Sequence, residues 1–144
     1  MSVTETQEEI IEEFGLLDSD KEMTVLYIME LGQKLPAMPD PAKTEDNVVK
    51  GCQSKVWLTA ELNHDKIYFQ ADSNTAITKG LVSLLIRIFN GHTPDEILNT
   101  ELFFMSRIGM ERFIGTQRSN GFAAMIKQMR FYAIALKTRL EVKL

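Results

Sequence analysis

The chain holds one cysteine, two histidines, one tryptophan and four prolines in 144 residues. A lone cysteine has no partner for an intramolecular disulfide, forms no Cys-x-x-Cys redox pair, and builds no thiolate cage for structural zinc or an iron–sulfur cluster, since each needs several sulfur ligands. Covalent chemistry at that sulfur must be completed by a thiol or small molecule from outside the chain. His64 falls in a predicted turn and His92 just ahead of a predicted helix start. Neither is an evident base for a cysteine hydrolase, no hydrolase signature surrounds the cysteine, and Asp65 or Asp95 beside them is a common turn composition rather than a metal set. Long apolar runs are missing too. None approaches the roughly 18 residues a membrane span requires, and the acidic N-terminus lacks the charged-then-apolar layout of a signal peptide. Positive charge is also short. The formal net charge is −4, and Lys127, Arg130, Lys137, Arg139 and Lys143 spread along the last predicted helix as a solvated face, which argues against nucleic-acid binding. The expectation is a cytoplasmic protein without membrane or nucleic-acid partners, in a reducing compartment where a lone thiol stays free.

What is present suffices for one core, with 44% of residues hydrophobic, and predicts a single domain over 1–144. Thr4-x-x-Gln7 and Ser19-x-x-Glu22 have the form of capping boxes and predict two helices, ending near Gly15 and near Leu35-Pro36; the second is expected to be mostly buried. Val56, Leu58, Ala60 and Leu62 alternate with Trp57, Thr59 and Glu61. After Asn63-His64-Asp65, Ile67, Phe69 and Ala71 alternate with Tyr68, Gln70 and Asp72, predicting an antiparallel hairpin with one face on a core. One of Ser73, Asn74 and Thr75 is expected to cap a helix that Asn90-Gly91 stops. Thr93-Pro94-Asp95-Glu96 opens another, Leu102 to Phe113 suggests short helical turns, and Ser119 is expected to cap a long last helix striped by Phe122, Met125, Ile126, Met129, Ala133, Leu136 and Leu140. Most of the methionines fall in such apolar stripes, as core filling rather than a metal box. Helices, a hairpin, then helices predict an α+β fold: a small antiparallel β-sheet with helices packed mainly on one face and a long C-terminal helix.

Cys52 is the strongest candidate for chemistry. It lies in the polar run Lys50-Gly51-Cys52-Gln53-Ser54-Lys55 just before the first strand, where glycine permits a loop tip and the lysines are expected to favour a thiolate. A buried structural cysteine is the plain alternative. The polar setting suits sulfur transfer, which needs an accessible thiol, a flexible loop and a docking surface but no internal base. It equally suits a redox-sensing thiol.

Gly51-Cys52-Gln53-Ser54-Lys55-Val56-Trp57-Leu58 resembles the GCQSxVW segment of the SufE-type sulfur acceptor proteins, partners of cysteine desulfurases in iron–sulfur cluster assembly. Three further segments are similar to that family, in the same order. They are Tyr27 to Pro36 with its LGxxLP ending, Ala71 to Leu81 as a D-S-x-x-A-I-x-K-G-L helix start, and Arg118-Ser119-Asn120-Gly121-Phe122 at the entry to the last helix. The resemblance implies the SufE/IscU-like fold and a sulfur carrier. Cys52 would take persulfide sulfur from a pyridoxal-phosphate-dependent cysteine desulfurase, stimulate that enzyme, and pass sulfur to an iron–sulfur cluster scaffold complex. The cofactor would belong to the partner, with none and no metal in this chain. The chain lacks the extra cysteines of the scaffolds. Whether such a covalent, sulfurtransferase-like accessory counts as an enzyme is left open, as is monomer against homodimer.

The resemblance assigns supporting roles to other residues. Gly51 would permit the loop conformation, Gln53 and Ser54 would hydrogen-bond the loop or the thiolate, Trp57 would wall a persulfide pocket, and Arg118 would orient the loop or dock the partner. Asp72, Asn74 and Lys79 would be partner contacts, with capping as their plain alternative. Gly115-Thr116-Gln117 departs from the usual pattern before that arginine. Two other functions stay open at this stage: a non-covalent regulatory module in which Cys52 is structural, and a thiol redox sensor.

Overall fold

Period-two alternation sets the centre of the fold. The structure is a computed structural model that describes residues 1–142. Lys143 of the basic set and the end of the tail at Leu144 lie outside the described residues. Strands β1 (Val56–Asn63) and β2 (Lys66–Ser73) pair antiparallel from Val56↔Ser73 to Asn63↔Lys66. Val56, Leu58, Ile67, Phe69 and Ala71 therefore share one face and are buried, while Trp57, Thr59, Glu61, Tyr68 and Gln70 look the other way. His64 turns the chain with φ 61°, the left-handed region that histidine tolerates better than most side chains.

The helices cover the apolar face, completing the α+β architecture. Helix α3 (Ala76–Phe89) lies against β2 and buries Leu81, Leu84, Leu85, Ile88 and Phe89. On its other flank α3 crosses α2 (Lys21–Gln33) at two glycines. A Cβ on Gly80 would lie 1.9 Å from the Ile28 carbonyl oxygen, and one on Gly32 would lie 2.6 Å from the Gly80 nitrogen, so the two backbones touch. Helix α1 (Val3–Gly15) is tied to α3 and α2 by Arg87, which pairs with Glu9 and Glu13, and by the Tyr27 hydroxyl, which donates to Glu13 at 2.7 Å. Beyond α3 come α4 (Pro94–Asn99), α5 (Phe104–Ile108) and α6 (Glu111–Ile114). The long α7 (Thr116–Val142) then runs back under the hairpin, burying Phe122, Met125, Met129, Ala133 and Leu136 and donating from Tyr132 to the Leu58 carbonyl at 3.0 Å.

Several local expectations are corrected. Helix α1 is capped two residues before Thr4: Ser2 is its cap, in a reciprocal capping box with Glu5. That releases Gln7, which is fully buried; its amide donates to the Glu101 carbonyl at 3.0 Å and accepts from the Phe103 N–H at 2.7 Å. Asp20 rather than Ser19 caps α2 by accepting from the Met23 N–H, because Ser19 takes a left-handed turn at φ 58°. Helix α2 is only half-covered: Thr24, Ile28 and Gly32 are buried, while Met23 and Leu26 are exposed. Thr75 stands at the α3 cap without a capping bond from its side chain. Ser119 is inside α7, its N–H bonded to the Gly115 carbonyl at 3.1 Å, since the break before the helix falls at Gly115 with φ 85°. The Thr93 to Glu96 capping box is formed as the sequence predicts.

Candidate functional site

The segment between Val49 and β1 cannot join the hairpin, because Gly51 takes φ +97° and turns the chain toward α7. A side chain there would be strained by that backbone, and its Cβ would meet Ala124 at 3.2 Å. The turn sets Cys52 against the one interior glycine of α7. A Cβ on Gly121 would sit 3.5 Å from the Cys52 sulfur, and the Cys52 S–H donates to the Gly121 carbonyl at 3.3 Å. Cys52 is half-buried, its sulfur supported by a helix backbone and not by a base.

One side of the sulfur remains open. Cys52 lines a cleft of about 360 Å³ whose floor is apolar, from Leu81 of α3, Ile114 of α6 and Met125 of α7. Gln53, Ser54, Gln117 and Arg118 form a polar rim. Ser54 is held by two hydroxyls of the α3 start, accepting from Thr75 at 3.0 Å and Thr78 at 3.2 Å. Arg118 is the cation of the rim, and its guanidinium donates to the Ile114 carbonyl at 3.2 Å. The elements behind this arrangement are unrelated in sequence position. The loop brings the sulfur, the first turn of α3 fixes the loop, and the break at Gly115 lets α7 start with Arg118 facing the same space.

The electrostatics differ from the sequence expectation. Burial pushes the Cys52 thiol pKa up from its ordinary value, so the resting sulfur is a protonated thiol at neutral pH. The lysines expected to favour a thiolate point elsewhere. Lys50 is exposed, and Lys55 lies 3.6 Å from Glu45 and over the Trp57 ring on the outer face of the hairpin.

Cys52, Gln53, Ser54 and Arg118 thus come together around one cleft, with Gly51 behind them; Trp57, Asp72, Asn74 and Lys79 do not line it. Trp57 is corrected as a pocket wall: Val56 faces the core, so its neighbour must face outward, where Lys43 lies 5.6 Å above its ring. Asp72 stands opposite Trp57 in the hairpin and is 7% exposed, bound by Lys43 at 3.1 Å and Lys79 at 3.5 Å. Burial alone would raise its pKa, but the Ser73 N–H and the two lysines outweigh it and hold the carboxyl below its usual range. Asn74 accepts from the Lys55 N–H at 3.0 Å and closes the start of the hairpin. These three residues are used within the fold. Sequence reasoning missed Gly115 and Gly121 as parts of the site; for Gly121 the signal was a glycine inside a long helical stripe, which costs helix stability and often marks a close approach. Among the described residues no group of three or more His, Cys, Asp and Glu stands close enough to hold a metal ion, and no helix is long and apolar enough to cross a membrane.

Comparison with known proteins supplies an independent line. The SufE family profile, described as an Fe-S metabolism associated domain, matches residues 8–133. An uncharacterized SufE-like protein of Rhizobium meliloti (strain 1021) is 34% identical over 128 residues, covering 85% of this chain and 91% of that protein. A second uncharacterized SufE-like protein, from Rhizobium etli, is 35% identical over 128 residues, covering 85% and 86%. Among solved structures, the solution structure of a hypothetical protein from Thermus thermophilus has the same fold, with a TM-score of 0.75 over 92% of this chain and 96% of that one at 21% identity.

Proposed function

The chain belongs to the SufE family of Fe-S metabolism associated domains, and from that premise we propose that it is a sulfur carrier whose acceptor atom is the Cys52 sulfur. The donor is a pyridoxal-phosphate-dependent cysteine desulfurase bearing a cysteine persulfide. The Cys52 thiolate attacks the terminal sulfur of that persulfide. A new S–S bond forms on Cys52, the donor's own S–S bond breaks, and the donor cysteine leaves as a thiolate, with no net oxidation or reduction. A second exchange of the same kind delivers the sulfur to a scaffold on which iron–sulfur clusters are assembled. By drawing sulfur off the donor, the carrier also raises the desulfurase's turnover.

The observation that carries the reading is a lone thiol on the wall of an open cleft, fixed by the α7 backbone and the Ser54 contacts. An apolar floor suits a labile persulfide, because it excludes water and soluble reductants from one side of the sulfur. Arg118, the one rim cation among the described residues, is suited to steady the anion that forms there. The raised pKa favours a carrier over a redox sensor, since sensor cysteines are low-pKa and accessible. A carrier that is protonated at rest reacts slowly through its small thiolate fraction, and docking would raise that fraction.

Intact-mass spectrometry after incubation with a cysteine desulfurase, pyridoxal phosphate and cysteine tests this. Wild type is expected to gain about 32 Da per sulfur, reversed by reductant, and Cys52→Ser to gain none. Sulfur loading on the serine variant, or no loading of wild type by a desulfurase that binds it, would reject the covalent role.

A further inference from the structure

Next to the Cys52 cleft lies a second concavity, larger and more apolar. It has a volume of about 560 Å³ and is walled by Val25 and Met29 of α2, Ile77 of α3, and Phe113 and Ile114 of α6. Val25, Met29 and Ile77 are half-buried, so this groove is where their uncovered surface lies. Such exposed apolar area, continuous and framed by polar groups, is the mark of an interaction site. The groove is continuous with the sulfur cleft, because Ile114, Gly115 and Arg118 line both.

The charge around the groove is one-sided. Lys21, Arg112 and Arg118 line it, and among the described residues no carboxylate does. None of these cations forms an ion pair among the described residues, although the chain's net charge is −4. Lys34, Lys50, Lys66, Arg107, Lys127, Arg130 and Arg139 also lack an ion pair among the described residues, so what marks the groove is the gathering of three cations around one apolar trough. Arg112 is engaged only with the Phe113 ring, 5.2 Å away, and the Ile108 carbonyl. Three unmatched cations around an apolar trough are complementary to a chain segment that carries an apolar side chain flanked by carboxylates.

The geometry points to this groove as the docking site for an acidic, apolar segment of the persulfide donor. The segment lies beside the donor's reactive cysteine, so that seating it presents the persulfide to Cys52 across the shared Ile114–Arg118 edge. This assignment rests on the carrier reading above, and it adds residues that touch neither the sulfur nor its cleft: Lys21, Val25, Met29 and Arg112. Seating in the groove would raise the local concentration of the donor persulfide at Cys52, a contribution that a small persulfide cannot make.

The test is the Lys21→Glu/Arg112→Glu double variant. Both side chains are exposed, and a glutamate at position 21 suits the first turn of α2, so folding should survive. Three quantities are measured: affinity for the desulfurase at low and high salt, the desulfurase concentration for half-maximal loading of Cys52, and loading by glutathione persulfide. The expected result is at least about tenfold weaker binding and a matching rise in the half-maximal concentration, with the salt dependence of wild type largely lost. Loading by glutathione persulfide and the rate at saturating desulfurase should stay at wild-type values. Unchanged affinity, or a glutathione persulfide reaction impaired as much as the protein reaction, would overturn the assignment. So would sedimentation showing that the double variant breaks a wild-type dimer, which would make the groove a self-interface. Wild type that binds the desulfurase through these two residues but accepts no sulfur would overturn the carrier reading and leave the docking site standing.

Discussion

The same substitution, glycine to alanine inside a helix, should have opposite signs at Gly121 and Gly80. In an open helix the change removes backbone freedom from the unfolded chain and is worth about 0.5–1 kcal/mol. At Gly121 the new Cβ would meet Cys52 at 3.5 Å from Sγ, 3.7 Å from Cα and 3.8 Å from Cβ, all ordinary contacts. Gly121→Ala should therefore keep most of the helix gain and raise Tm by roughly 1–4 °C for a chain of this size. At Gly80 the added carbon would lie 1.9 Å from the Ile28 oxygen, 2.6 Å from its carbonyl carbon and 2.7 Å from its side chain. That falls short of ordinary contact by more than about 1 Å. A backbone carbonyl cannot rotate aside, so α2 must retreat and open a seam that includes fully buried Ile28. Overpacking of this kind outweighs the helix gain, leaving a net loss of at least about 2 kcal/mol and a Tm lower by roughly 4–8 °C. Urea denaturation followed by far-UV circular dichroism measures both variants, with iodoacetamide labelling of Cys52 as the readout at the site. Labelling should be unchanged in Gly121→Ala. A destabilised Gly121→Ala, or a Gly80→Ala as stable as wild type, would refute the contact argument at that glycine.

Gln7→Ala leaves the Glu101 carbonyl and the Phe103 N–H without their buried partner, and should cost about 3 kcal/mol in urea denaturation, whereas a loss under about 1 kcal/mol would mean that α1 merely rests on the α5 region. Cys52 in the folded protein should be alkylated more slowly at neutral pH than in urea, with an apparent pKa above that of the unfolded thiol; an apparent pKa below it would contradict burial as the cause. Because the folded value is raised, the stability linked to Cys52 is fully present below the unfolded thiol pKa and declines as pH rises through the folded one, so Cys52→Ser should flatten that alkaline decline. Asp72 has the opposite sign. Its folded pKa is depressed, so its contribution is present above the usual carboxylate pKa and is lost as pH falls through the folded value. Asp72→Asn should remove about 1–3 kcal/mol at neutral pH and much of the acid sensitivity, and an unchanged acid limb of the stability profile would reject the Lys43–Asp72–Lys79 cluster as its source.

The hairpin was legible because its signal is local. Val56 to Leu62 and Ile67 to Ala71 alternate around a short polar turn, and a one-residue slip of the pairing would turn one strand's apolar side chains to the opposite face. The same rule turns Trp57 away from the buried face: two residues in succession on a strand cannot both face the core, and Val56 does. The helix starts were harder. Ser2 and Glu5, Thr4 and Gln7, and Ser19 and Glu22 all have nearly the same local form, and tertiary packing chose among them by drawing Gln7 inward and bending the chain at Asp18 and Ser19. Position in the sequence indicated that Cys52 lies on a loop, but the direction of its pKa shift was hidden. That shift depends on how closely α7 packs on the loop, at a contact with Gly121 that lies sixty-nine positions away.

The distance between those two residues also explains how the site divides its tasks. A carrier sulfur must react slowly with solutes between encounters and fast with one donor within them. Permanent activation by nearby lysines would serve the second need and defeat the first, since a stable thiolate is open to every oxidant. Here the lysines adjacent in sequence are turned away, the S–H is bonded to a helix carbonyl, and burial favours the proton. The cleft's cation among the described residues, Arg118, belongs to the first turn of α7, the same helix that holds the sulfur through Gly121. A donor seated on the groove beside Arg118 would change the surroundings of both groups together. Activation then becomes a property of the complex, and selectivity rests on the docking surface, not on the intrinsic reactivity of the thiol.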